Sequence, residues 1–104
     1  MLPTEYNEGD VISLKLISGE EIMAKFESAD KENMYVLKPL SIVANNQGIG
    51  MTQTLFGMNM DQKNSIAVKQ TAILMHTLTK EDLANMYKQS TSQIQLVPKN
   101  ILLE

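Results

Sequence analysis

The sequence holds one histidine, His76, and neither cysteine nor arginine, and each of these facts removes a chemistry. Without cysteine there is no disulfide scaffold, no thiolate metal site and no sulfur nucleophile. A lone imidazole builds no multi-histidine metal site within one chain and completes no nucleophile–base pair, so no metal, no cofactor and no enzymatic activity are expected. His76 reads as a partly exposed strand residue rather than a ligand or base. Glu20-Glu21 offers two carboxylates, but neighbours on a strand point to opposite faces and do not share a substrate. Nine lysines face twelve acids for a net charge of −3. Lacking the planar fork of arginine and any basic stripe, this chain is not expected to bind duplex DNA. Of eight methionines, Met51, Met58 and Met60 cluster. Their adaptable side chains suit a binding surface, but core filling or an intersubunit contact is the simpler reading.

The elements that must position these residues are set by length and periodicity. A chain of 104 residues with 43% apolar and 20% charged content is expected to form one globular domain, residues 1–104, with a proper core. No apolar run reaches the ~18–20 residues of a bilayer span. Met1 to Glu5 lacks the basic and apolar regions of a signal peptide, so a cytoplasmic protein is expected. Val11 to Leu16 alternates with Ile12, Leu14 and Leu16 on one side, the period of a strand with one buried face. Ser18-Gly19-Glu20 supplies a turn, and Glu21 to Glu27 returns with Ile22, Ala24 and Phe26 inward. A third run, Met34 to Ala44, contains Pro39, which cannot donate to a ladder; the strand must be at an edge, bulged or bent there. Asn45-Asn46-Gln47-Gly48 signals another turn, and Met51 to Met60 reads weakly as a returning strand. Ser65 to Val68 and Ala72 to His76 form two more strands around the tight link Lys69-Gln70-Thr71.

The period then changes. Thr79 is a good N-cap, with Glu81 and Asp82 in the first turn, and Leu83, Met86 and Tyr87 fall at i, i+3 and i+4, which predicts a helix over 79–90. In the tail, 91–104, Ile94 and Leu96 alternate before Pro98, and strand, docked segment and frayed end all remain open. Five or six short strands suggest a mainly β fold, a small and strongly bent sheet or barrel, with one helix on its C-terminal side.

Within that frame residues 10–77 resemble the Sm-like family, which implies a strongly bent five-stranded antiparallel sheet, a small open barrel. Val11 to Asp30 is similar to the first Sm motif: alternating apolar residues, the turn glycine Gly19, the apolar–small–apolar positions Ile22, Ala24 and Phe26, then Asp30. Ala24 stands where the family usually has glycine. Lys69-Gln70-Thr71-Ala72-Ile73 resembles the Lys-His-Ala-Ile segment of bacterial Hfq, with one residue inserted and glutamine replacing histidine. The helix and the interrupted fourth strand are more like the divergent Sm-like proteins of tailed phages, including cyanophages, which would place the protein in a bacterial cytoplasm.

The resemblance implies a homo-oligomeric ring of about five to seven subunits, in which the fourth strand of one copy pairs with the fifth of the next. The residues give an independent reason: Ala72 to Met75 is apolar on both faces, and an exposed apolar edge needs a cover. Ile66, Val68, Ile73, Leu74 and Met75 are the candidate interface residues. The alternative cover is the helix, packed on the outer face of that strand.

The resemblance also implies that the loops at Asp30 and at Lys69-Gln70 hold single-stranded RNA, amides reading base edges and lysines neutralising phosphate. Asn33 lies near the family's base-reading asparagine, but strict spacing from Asp30 puts Met34 there. A one-residue slip would turn the amide to the opposite face. The candidate RNA-binding set is therefore Asp30, Asn33, Met34, Lys69 and Gln70. Asp30 has a competing role bonding backbone amides in its own turn, and Lys69 could equally be a solvated turn lysine. Two functions are compatible with these residues: a ring that binds single-stranded RNA as a chaperone or in RNA processing, or a ring serving as a structural or protein-interaction module.

Overall fold

The computed structural model describes residues 6–55 and 65–91. The chain is mainly β, with six antiparallel strands in one sheet and a single described helix. The strands are β1 (Val11–Leu16), β2 (Glu21–Ala29), β3 (Asn33–Asn45), β4 (Gly48–Gln53), β5 (Ile66–Lys69) and β6 (Ile73–Leu78), with a 3-10 turn at Gln70–Ala72. Strand order is β4-β3-β2-β1-β6, and β5 pairs with β3. The sheet is not closed: β5 and β6 are not partners.

Six strands rather than five form because β3 serves two partners in succession. Its first half, Asn33 to Val36, pairs with β5, and its second half, Leu40 to Asn45, pairs with β4. The break is at Lys38-Pro39, where these two residues of β3 together oppose the single residue Ala24 of β2 and Lys38 takes φ +51°. Pro39 is fully buried in a central strand, so of the options open to a proline the chain uses the bulge. The returning strand is shorter than the Met51–Met60 reading, and Met58 and Met60 lie outside the described residues.

Both turns obey their residue chemistry. Leu16 and Glu20 close a three-residue loop by a 2.8 Å backbone bond, and Gly19 sits at φ +94°, a conformation that costs glycine little. Asn46-Gln47 makes a two-residue hairpin loop between β3 and β4, with Asn45 Oδ1 accepting from the Gln47 N–H at 2.8 Å.

Two hydrogen bonds require strong bending of the sheet. Nine-residue β2 would span ~30 Å if straight. Yet the turns at its two ends reach the same three-residue 3-10 segment: Ile17 N–H donates to the Ala72 carbonyl at 2.9 Å, and Gln70 N–H to the Glu32 carbonyl at 2.9 Å. β2 must curl to allow this, and its register shifts between Met23 and Lys25 and between Phe26 and Ser28 mark where it does.

The curl encloses one core on the concave face. Ile12, Leu14, Ile22, Ala24, Phe26, Met34 and Val36 are buried there. Leu16, Ile66, Val68 and Ile73 pack against them. Alternation predicts the inward members of β1 and β2, but not that Met23, on the opposite face, is also fully buried. The helix, residues 81–91, covers that face: Val11, Met23, Leu40 and Tyr87 form a second cluster, flanked by Ile42, Met51, Leu83 and Ala84.

The helix therefore packs over β1 to β3 and not over β6. Met86 stays exposed, and Ala84 takes the inward position expected of it. Thr79 does not cap: its hydroxyl bonds the Ser13 hydroxyl at 2.8 Å, and the Lys80 carbonyl accepts the first helical bond, from Ala84 N–H at 2.9 Å. No described helix is long and apolar enough to cross a membrane.

Candidate nucleic-acid interface

The Asp30 loop is built around one carboxylate. Asp30 Oδ1 accepts from the backbone N–H of Glu32 at 2.9 Å and of Asn33 at 2.8 Å, while Asp30 N–H donates to the Asn33 carbonyl at 2.9 Å. The hydroxyl of Tyr35 donates to the other oxygen, Oδ2, at 3.0 Å. The Asn33 and Glu32 amides hold the Asp30 carboxyl below the usual carboxylate range, against an opposing contribution from desolvation, and the Tyr35 hydroxyl adds a lesser lowering. Asp30 thus fills the turn-forming role, keeping its charge while holding the loop shut.

Gln70 ties this loop to the 3-10 turn. Besides its backbone bond to Glu32, its Nε2 donates to the Asp30 carbonyl at 3.1 Å and the Asn33 carbonyl at 3.4 Å. Four of the five candidate residues, Asp30, Asn33, Lys69 and Gln70, are brought together, although residue 30 and residue 70 are far apart in the chain. Asn33 and Lys69 are directly opposite in the β3–β5 ladder and share a face.

Met34 is the exception. Its register partner is Val68, and both face the concave core, where Met34 is fully buried and offers nothing to a ligand. The slip that the spacing raised is thereby placed: the methionine turns inward and the amide of Asn33 turns out beside Lys69. The Asn33 Nδ2 donates to the Tyr35 hydroxyl at 3.3 Å. Tyr35 was missed by sequence reasoning, although i and i+2 on a strand share a face and its tie to Asn33 is a consequence of that period.

Charge at this end is mixed. Lys31 and Lys69 are exposed, and so are Asp30 and Glu32. Among the described residues this end of one copy therefore presents no basic groove.

The candidate interface residues divide by face. Ile66, Val68 and Ile73 are half-buried against their own subunit's core. Leu74 and Met75 are 62% and 66% exposed, and Leu78, in the same strand, is 53% exposed. β6 pairs only with β1, and β5 only with β3, so each leaves one free edge among the described residues. A groove of about 300 Å³ lies along β1 and β6, lined by Ser13, Leu14, Lys15, Glu21, Met75, His76 and Thr77.

His76 lies opposite Leu14, at the rim of the concave core. Its Nδ1 bonds the Tyr6 hydroxyl at 2.6 Å, and Tyr6 stacks edge-on against both His76 and Phe26. The imidazole is a clasp for the segment preceding β1 and touches no carboxylate pair or nucleophile among these contacts.

The chain matches no protein-family model and no curated protein sequence.

Proposed function

We propose that this chain is an Sm-like subunit of a homo-oligomeric ring that binds single-stranded RNA where the Asp30 loop meets the Gln70–Ala72 turn. The observation that carries this reading is the pair of free edges, β5 and β6, joined by a three-residue turn that begins with Gln70, directly after Lys69. β5 and β6 stand in the places of the family's fourth and fifth strands, β4 being an added hairpin arm. Pairing β5 of one copy with β6 of the next would cover Leu74 and Met75 and repeat Lys69 once per subunit around the centre. Closure removes every such edge, which open pairing does not.

RNA binding rests on Lys69 and Asn33 sharing one exposed face beside Gln70. A ring multiplies each lysine by the subunit number, so a subunit of net charge −3 still presents several cations to one strand of phosphates. A specific observation favours a second reading, a ring that is a protein-interaction module. The amide N–H groups of Asn33 and Gln70 already donate within the loop, and base reading would have to displace those bonds or use their oxygens.

Fluorescence anisotropy with uridine-rich and adenine-rich oligoribonucleotides separates the two. RNA binding predicts micromolar or tighter affinity that falls as salt rises and falls further in Lys69→Ala. No binding at low salt, where phosphate contacts are strongest, contradicts it and leaves the interaction module.

A further inference from the structure

The aromatic side chains divide by what they pack against. Among the described residues, Tyr6 and Phe26 belong to the concave core and Tyr87 to the cluster under the helix. Tyr35 belongs to neither. Its chain neighbours Met34 and Val36 turn into the concave core, so Tyr35 stands on the outer face of β3, where it is half-buried. The helix cluster takes up Val11, Met23 and Leu40 on that face and does not extend to it.

The ring is nevertheless held in place. Its hydroxyl donates to Asp30 Oδ2 at 3.0 Å and accepts from Asn33 Nδ2 at 3.3 Å, so the phenol is fixed at its tip as well as at its backbone. Its partners across the two ladders are Ser28 on β2 and Ala67 on β5, both exposed and neither long enough to lie over a phenol. An aromatic ring of set orientation thus keeps surface free for another planar group. Charge is placed unevenly around it. The Asp30 carboxylate, at the end of β2, meets the hydroxyl, while Lys69 on β5 lies opposite Asn33. A π-surface with a cation beside it is what single-stranded nucleic acid binds when no sequence is read.

We propose that Tyr35 is a base-stacking platform for single-stranded RNA on the outer face of β2, β3 and β5, with the phosphates of the bound strand drawn to the Lys69 side and away from Asp30. The proposal rests on the RNA-binding reading of the adjoining loop and carries its site from the loop onto the sheet. Stacking uses a π-face that every base has, so it asks no bond of the Asn33 and Gln70 amides, which stay committed within the loop.

Fluorescence anisotropy on the full chain, with labelled oligouridine and oligoadenine at low salt, tests this. Tyr35→Leu is expected to weaken binding about tenfold or more, and Tyr35→Phe, which keeps the ring and loses both hydroxyl bonds, to stay within about twofold of the wild type. The slope of affinity against salt should be unchanged in Tyr35→Leu and shallower in Lys69→Ala, since only the lysine meets phosphate. A second readout needs no destabilised variant. The chain has three tyrosines and no tryptophan, and a base stacked on Tyr35 quenches its emission. RNA should therefore quench wild-type tyrosine emission, and the quenching should vanish in Tyr35→Phe while anisotropy still reports the complex. Equal quenching in wild type and Tyr35→Phe overturns the platform, as does full affinity in Tyr35→Leu. Weakening in Tyr35→Phe equal to that in Tyr35→Leu also overturns it, assigning the residue to loop positioning through its hydroxyl. Absence of any RNA binding by the wild type is a different result, and removes the RNA-binding reading itself.

Discussion

Tyr87 and Asp30 are both held by hydrogen bonds, at opposite depths. Tyr87 is fully buried between the helix and β3, and its hydroxyl donates to the Lys38 carbonyl at 2.6 Å and the Leu37 carbonyl at 3.2 Å. Both carbonyls lie at the bulge at Lys38-Pro39, and the phenol supplies them with a donor. Burial pushes its pKa well above the ordinary value, and it stays a donor at all working pH values. Tyr87→Phe keeps the packing but strands those carbonyls, so chemical denaturation should show a loss of about 1–3 kcal/mol with an unchanged m-value. Asp30 differs because it is exposed and charged. Its pKa is lowered by the loop amides, so its contribution to stability is present above the unfolded carboxylate value of about 4 and is lost as pH falls through the lower folded value. The gap in urea midpoint between the wild type and Asp30→Asn should therefore be widest near neutrality and narrow as pH drops below about 4. A gap that persists undiminished at pH ~2 would show that the charge is not what holds the loop.

Among the elements, β1, β2, β5 and β6 were legible because one face of each meets the concave core, and period-2 alternation records that directly. Pro39 was legible too, as a bulge, edge or bend, but which of the three depended on β3 pairing on both sides. The helix was legible over nearly its full length from Leu83 and Tyr87. Its destination was not, because local spacing says which face is apolar and nothing about which strand receives it. Met23 carries the same lesson, since the cluster that buries it is completed by Tyr87 of a helix some sixty residues on. The candidate site was legible in its residue types, and the inward turn of Met34 was fixed only by its register with Val68. With the helix over β1 to β3, β6 keeps Leu74 and Met75 in solvent. Leu74→Lys should leave the isolated subunit's stability within about 0.5 kcal/mol, because the side chain is already exposed. It should nevertheless break self-association, since a lysine on an edge strand opposes strand pairing. Light scattering that finds the wild-type assembly intact in this variant would remove β6 from the interface.

At the scale of the whole molecule, the absence of arginine and the net charge of −3 argue against a monomer that grips nucleic acid. A ring alters that balance by repeating one lysine face around a common centre, and it accounts for two free edges that a monomer would leave as an association hazard. The ring is thus the premise on which RNA binding rests, and it is tested before any ligand is added. The measurement is the absolute mass of the purified full chain by light scattering at micromolar concentration. The account predicts one closed species at about five to seven times the 11.6 kDa subunit, unchanged on moderate dilution. A single species at 11.6 kDa, or a mass that grows without limit as concentration rises, contradicts it.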